Sequence, residues 1–214
     1  MQLLSVNIAT VRTDAWAGRV GRTGIDKRPV TGPVQATEAG LAGDTICDTK
    51  HHGGVDRAAY AYAEEDQRWW STELGRPVSP GSFGENLTTS GLDITGARIG
   101  EHWAIGTAVF EVRGPRTPCR VFAGFWDVPD LIHRFLARGW PGAYLRVLQA
   151  GEVTAGDPIT VIHRPDHDID LGTALRALTT TPDLLARLRP VVDLLPEDAG
   201  RKVRKRLSRL TAGV

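Results

Sequence analysis

Apolar residues fall in short runs along this chain: Leu3 to Ile8, Ala58 to Tyr62, His102 to Ile105, Val109 to Val112, Tyr144 to Leu148 and Ile159 to Ile162. Between them lie turn-rich stretches such as "GRVGRTG", "VTGPVQ", "HHGGV" and "SPGSFGEN", which hold many of the 24 glycines and 13 prolines. Many short strands punctuated by turn residues predict a barrel or sandwich rather than alternating strand and helix units. "WAIGTAVFEV" reads as a hairpin turning near Gly106. Two helices interrupt the strands. Residues 63–74, "AEEDQRWWSTEL", open with acids, as a helix N-terminus prefers, and residues 127–138 place Leu131, Ile132, Phe135 and Leu136 on one face. The expected fold is mostly β with peripheral helices.

The period changes after about residue 165. "DIDLGTALRAL", "TPDLLARLRPVVDLL" and "PEDAGRKVRKRLSRL" each repeat at helical spacing, the second with Thr181 placed to cap and Pro182 at the first helical position. This divides the chain into a main domain, 1–165, and a three-helix unit, 166–214, which packs on its own barrel or on a second subunit of a homodimer. The last helix carries Val203, Leu207 and Leu210 on one side and Arg201, Lys202, Arg204, Lys205, Arg206 and Arg209 around the rest. That basic surface reads as a solvated face, with docking to an acidic partner as the alternative.

Charge narrows the partners. The 26 Lys and Arg nearly balance 25 Asp and Glu, so the surface as a whole does not advertise nucleic acid or an anionic membrane. No stretch approaches the roughly 20 apolar residues of a membrane span and no leader is evident, so the expectation is a cytoplasmic protein. Two cysteines, Cys47 and Cys119, are too few for a disulfide framework and lack zinc-site spacing.

Four segments carry candidate chemistry. In "GDTICDTKHHGGVDRAAYAY", residues 43–62, Gly53 and Gly54 follow His51 and His52 and let backbone N–H groups approach an anion; a plain hairpin turn accounts for the glycines equally well. In "SPGSFGENL", residues 79–87, Glu85 and Asn86 offer paired donors and acceptors to a heterocycle edge and Phe83 a cover for its face, though turn chemistry also explains this composition. In "GPRTPCRVFAGF", Arg116 and Arg120 flank Cys119 while Pro115 and Pro118 stiffen the backbone. Cations favour the thiolate, the nucleophilic and metal-binding form. Among a protease nucleophile, a redox thiol and a single soft ligand to a metal held mainly by a cofactor, the last lacks the fewest parts. A buried structural cysteine is the bland alternative. Lys27 and Arg28, in "GRTGIDKRPVTGPV", suit a phosphate or bare solvent.

Taken in order, "IDKRPV", "GDTICDTKHHGGVDRAAYAY", "GSFGENL" and "GPRTPC" resemble the MOSC domain family, and more closely its bacterial YiiM-like subgroup with a C-terminal three-helix extension. The resemblance covers nearly the whole chain, and its strength lies in the joint occurrence of motifs that are weak singly. It implies a MOSC-type β-barrel core that binds the pterin dithiolene molybdenum cofactor, with Cys119 as the protein's ligand to the metal. It further implies reduction of N-hydroxylated small molecules, such as 6-N-hydroxylaminopurine, to amines, with electrons from a separate reductase. Lys27, His52, Gly53, Gly54, Arg116 and Arg120 are then assigned to the cofactor phosphate and dithiolene surroundings. Phe83, Gly84, Glu85 and Asn86 go to the pterin or substrate rim. Asp56 and Arg57 follow the glycines, with Asp56 expected to orient a loop through His52 or Lys27. Pyridoxal phosphate binding and detoxification of N-hydroxylated bases belong to the same set of expectations. The alternative is a cofactor carrier, or a sulfur-transfer protein working through a persulfide on Cys119.

Overall fold

The computed structural model describes residues 1–212. In chain order its strands are β1 (Gln2–Ala9), β2 (Arg12–Thr13), β3 (Arg22–Thr23), β4 (Lys27–Pro29), β5 (Val34–Thr37), β6 (Gly40–Leu41) and β7 (Ala59–Ala63). There follow β8 (Leu87–Ser90), β9 (His102–Ile105), β10 (Ala108–Gly114), β11 (Ala143–Gln149), β12 (Gly151–Val153) and β13 (Ile159–His163). Eight of them form one sheet in the order β13-β9-β10-β11-β7-β8-β1-β4. Every neighbouring pair is antiparallel except β7 and β8, whose parallel pairing requires a crossover, supplied by α2 (Glu64–Leu74). Leu3 N donates to Asp157 O at 2.9 Å and Ile159 N to Met1 O at 3.0 Å, so the start of β1 meets the segment entering β13. The sheet thereby curls into a half-barrel. β12, β5 and β6 form a small second sheet.

All six apolar runs fall on strands, and the hairpin turns where expected: Ile105 pairs with Ala108, and Gly106, at φ 56°, occupies the left-handed conformation the tight turn needs. The first expected helix, 63–74, is α2. The second is different. Asp127 adopts φ 50° and ends one helix, α3 (Arg120–Trp126), before another, α4 (Leu131–Arg138), begins. The physical reason for α3 is burial of Phe122 and Trp126, four residues apart on one face. α1 (Thr49–His52) is a single turn.

After residue 165 come α5 (Leu171–Leu178), a 3₁₀ segment at Pro182–Val191 and α6 (Glu197–Ala212). Thr181 does occupy the cap position of the 3₁₀ segment, but its side chain makes no capping bond. Leu171, Leu185, Leu188, Val191, Val203 and Leu207 share one apolar cluster with Leu3, Val6, Ile105, Phe110 and Val112 of the sheet, so this unit packs on its own chain. The Leu210 side chain lies outside the described residues. A second cluster is aromatic: Tyr60, Tyr62, Trp70, Phe83, Phe122, Trp126, Phe135 and Tyr144 pack with Ile25 and Leu131. Fully burying one such ring stabilises the fold by about 2 kcal/mol. Cys119 rests on the edge of this cluster.

Candidate functional site

Beside the aromatic cluster opens a cavity of about 610 Å³. Three chain segments supply most of its lining, with Arg57, Tyr60, Gly84, Asn86 and Tyr144 completing it. The Pro-rich link from β10 carries Arg116 and Cys119, the turn of α1 carries His52, and residues 17–27 form the facing wall. Cys119 starts α3 with extended backbone, is half-buried, and lines the cavity.

The lining is strongly cationic. Arg19, Arg22, Lys27, Lys50, Arg57 and Arg116 contribute to it, against the single carboxylate of Asp48. Arg116 is 5% exposed; its Nη1 donates to the Phe83 carbonyl at 3.0 Å, and its guanidinium lies over the rings of Phe122 (4.7 Å) and Tyr60 (5.3 Å). Lys27 is buried with its ammonium on both oxygens of Asp44, a carboxylate that also accepts from Ala9 N and Asn86 Nδ2. Burial lowers the pKa of Lys27, and the charge of Asp44 opposes that shift. Arg57 bonds Asp198 at the start of α6 and lies 5.5 Å over the Tyr144 ring. Its Nε is buried with no protein partner, a donor left over for something in the cavity.

His52 Nδ1 lies 3.0 Å from the Tyr144 hydroxyl. Burial first, then the charge of Arg116, pushes the imidazole down to about 4, so it is neutral at physiological pH. Burial likewise raises the phenol of Tyr144, which therefore keeps its proton. A phenol donating to Nδ1 leaves the imidazole proton on Nε2.

Of the residues singled out from the sequence, Lys27, His52, Arg57, Gly84, Asn86, Arg116 and Cys119 line this one cavity. Gly53, Gly54, Asp56, Phe83, Glu85 and Arg120 do not. Phe83 is 0% exposed inside the aromatic cluster, where apolar burial outweighs any role as a cover. Glu85, also 0% exposed, accepts from the N–H groups of Gly81 and Phe83, from Gln67 Nε2 and from Thr88 Oγ1, so it fastens its own loop. Asp56 binds Arg113 and Arg146 rather than His52 or Lys27. The Gly53 N–H is taken by the Thr49 carbonyl at 3.2 Å, and a Cβ at Gly53 would stand 2.7 Å from that oxygen, so close backbone approach explains this glycine. Arg120 is exposed on the first turn of α3, pointing the chain's charge to solvent. Gly81, at φ 84°, would drive a Cβ to 2.2 Å from the Lys27 carbonyl; its absence lets the "GSFGEN" loop lie against β4.

The sequence reading missed Tyr60, Tyr144, Asp44, Arg19 and Arg22. The tyrosines sit in apolar strand runs and Asp44 pairs with Lys27 only through the fold. Cys47, to which the sequence reading gave no site role, lines the same cavity as Cys119. Among the described residues no cluster of three His, Cys, Asp or Glu side chains could hold a metal by itself, and no helix is long and apolar enough to cross a membrane.

Comparison with known proteins agrees with this architecture. The MOSC domain model matches residues 48–160. The protein YflK of Bacillus subtilis is 34% identical over 81% of this chain and 79% of its own. A protein of Gibberella moniliformis called "Reductase" is 29% identical over 94% of this chain, which spans 37% of that protein's length. The crystal structure of YiiM from Geobacillus stearothermophilus superposes with a TM-score of 0.81 at 30% identity, covering 96% of this chain and 98% of that one.

Proposed function

The chain belongs to the MOSC domain family, and on that footing we propose that its cavity holds the pterin dithiolene molybdenum cofactor and that the loaded protein reduces N-hydroxylated compounds to amines. The observation that carries the reading is that a 610 Å³ cavity whose charged lining is almost entirely cationic is lined by two half-buried thiols, of which Cys119 is the one three residues from buried Arg116. That donor set fits the group. A soft sulfur suits molybdenum, guanidinium and ammonium groups suit an anionic phosphate-bearing carrier, and the unpartnered Arg57 Nε awaits an acceptor. The volume falls within the range of ordinary cofactor sites. The family is associated with this cofactor, and a relative named a reductase adds weight to the redox assignment.

The net reaction, R–NHOH plus two electrons and two protons giving R–NH2 and water, needs an electron source, a soft metal site and proton donors. When bound, the cofactor supplies the two-electron redox change. Cys119 would be the chain's ligand to it, while Arg116 and Arg57 would hold its anionic parts and Lys27, paired with Asp44, would fix the wall beside them. Arg116 is fixed by the Phe83 carbonyl and two rings, so its charge is pre-oriented and costs no reorganisation. Neutral His52, held by Tyr144, presents an N–H to the cavity and is the chain's candidate for orienting the departing hydroxyl oxygen. The electrons come, in this reading, from a separate reductase. The expectation of pyridoxal phosphate gains nothing from the cavity, whose buried lysine, Lys27, is engaged by Asp44.

The test is anaerobic turnover of 6-N-hydroxylaminopurine with a reduced viologen dye as donor, on protein made in a host that synthesises the pterin. Turnover in proportion to bound molybdenum supports the proposal. Full metal without turnover of any N-hydroxylated substrate supports carriage instead.

A further inference from the structure

Residues 12–23 form a short excursion, the flap, whose exposed Arg19 and Arg22 stand on the solvent side of the cavity lining. β2 pairs with β3, and the 3₁₀ turns between them, Ala15–Val20, contribute Ala17 to Val20 to the cavity lining. The flap is fastened from outside the cavity. Trp16 meets Phe125 edge-on at 5.8 Å and lies so close to Gly124 that a Cβ there would stand 2.6 Å from Trp16 Cβ. The Arg12 guanidinium sits over both rings, at 5.7 and 5.9 Å, and pairs with Asp26.

The other two arginines of the flap are differently placed. Arg19 and Arg22 both line the cavity, both are exposed, and neither side chain has an ion-pair or hydrogen-bond partner among the described residues. The inner cations are each anchored by a protein partner, Lys27 by Asp44, Arg57 by Asp198 and Arg116 by the Phe83 carbonyl, and the proposed function gives Arg57 and Arg116 to the cofactor. The cavity thus has an inner group of anchored cations and, among its exposed lining, the ammonium of Lys50 and two free guanidinium forks, Arg19 and Arg22. Two such forks match the oxygens of a phosphate monoester in geometry as well as charge.

Resting on the reductase reading above, we propose that Arg19 and Arg22 form a phosphate subsite at the cavity mouth and that the substrate class is the 5′-phosphate of an N-hydroxylated nucleoside rather than the free base. The base enters toward Cys119 and the sugar phosphate stays at the rim, where the flap holds it. The same two arginines would serve a phosphate of the cofactor if that group extended outward, and the experiment separates the two sources.

Steady-state kinetics on cofactor-loaded protein would compare the riboside of 6-N-hydroxylaminopurine with its 5′-monophosphate, in the wild type and in the Arg19→Ala/Arg22→Ala variant. The expected result is a KM for the monophosphate at least about tenfold below that for the riboside, abolished in the variant through KM with kcat retained. Molybdenum content and riboside turnover stay at the wild-type level. Equal KM values in the wild type, or a variant that loses molybdenum while remaining folded, would overturn the proposal; the latter outcome gives the arginines to the cofactor. Calorimetric titration of the loaded protein with adenosine 5′-monophosphate and with adenosine supplies a reading independent of turnover. If neither N-hydroxylated compound is reduced, the activity assignment fails by itself. Tighter, arginine-dependent binding of the monophosphate still sustains the subsite, and equal binding of both removes it.

Discussion

Arg116 Nη1 donates to the Phe83 carbonyl at 3.0 Å, tying the segment that presents Cys119 to the "GSFGEN" loop 33 residues earlier. The bond explains why two motifs that are unremarkable singly occur together: one loop supplies the acceptor that fixes the other's cation. Arg116→Met leaves that buried carbonyl unsatisfied and should cost about 2 kcal/mol in urea unfolding. Arg116→Lys keeps the charge but loses the planar fit between the Phe122 and Tyr60 rings, so molybdenum content should fall further than stability does.

The Lys27–Asp44 pair is buried on both sides, at 7% and 6% side-chain exposure. Asp44→Asn strands an ammonium in the wall of the cavity and should destabilise the protein by about 3 kcal/mol. Lys27→Met/Asp44→Asn removes the stranded charge and should recover part of the loss. Denaturant midpoints of the three proteins check this.

His52 gives a pH signature. Its folded pKa, about 4, lies below the unfolded value of 6.5, so between these values the unfolded chain binds more protons. The contribution is complete above pH 6.5 and is lost as pH falls toward 4; between pH 7 and pH 5 it amounts to about 2 kcal/mol. Unfolding of the cofactor-free protein at both pH values should show His52→Gln losing less stability than the wild type over this interval. Parallel losses would show that His52 is not buried neutral.

How much of this was legible beforehand follows from range. The strand runs declare themselves because burial in a sheet leaves a local apolar pattern, and α2 because its acids and apolar positions are neighbours in sequence. α3 escaped because a helix containing Gly124 and Val121 gains its stability from the buried faces of Phe122 and Trp126, not from propensity. In the site, Cys119, Arg116 and Lys27 stood out by residue type. Tyr144 could not, since its bond to His52 joins positions 92 apart and its strand reads as ordinary core. Glu85 and Phe83 look like ligand contacts in one dimension because a loop that must be fastened internally uses the same polar and aromatic residues as one that binds.

Glu85 separates those two roles experimentally. Its carboxylate only accepts, from two backbone N–H groups, an amide and a hydroxyl. Glu85→Gln turns one oxygen into a donor facing donors and should cost about 2 kcal/mol. Molybdenum bound per folded molecule should remain at the wild-type level; a selective loss of cofactor at unchanged stability would place Glu85 in the site after all.

The central claim, that Cys119 ligates the cofactor's metal, is tested most directly by elemental analysis of the Cys119→Ser and Cys47→Ser variants, expressed alongside the wild type in a pterin-producing host. A serine hydroxyl keeps the size of the side chain but replaces a soft donor with a hard one. The account predicts that folded Cys119→Ser protein carries little molybdenum while Cys47→Ser, altered in the same cavity, retains it. Wild-type molybdenum in the Cys119→Ser protein, with full turnover of an N-hydroxylated substrate, would contradict it.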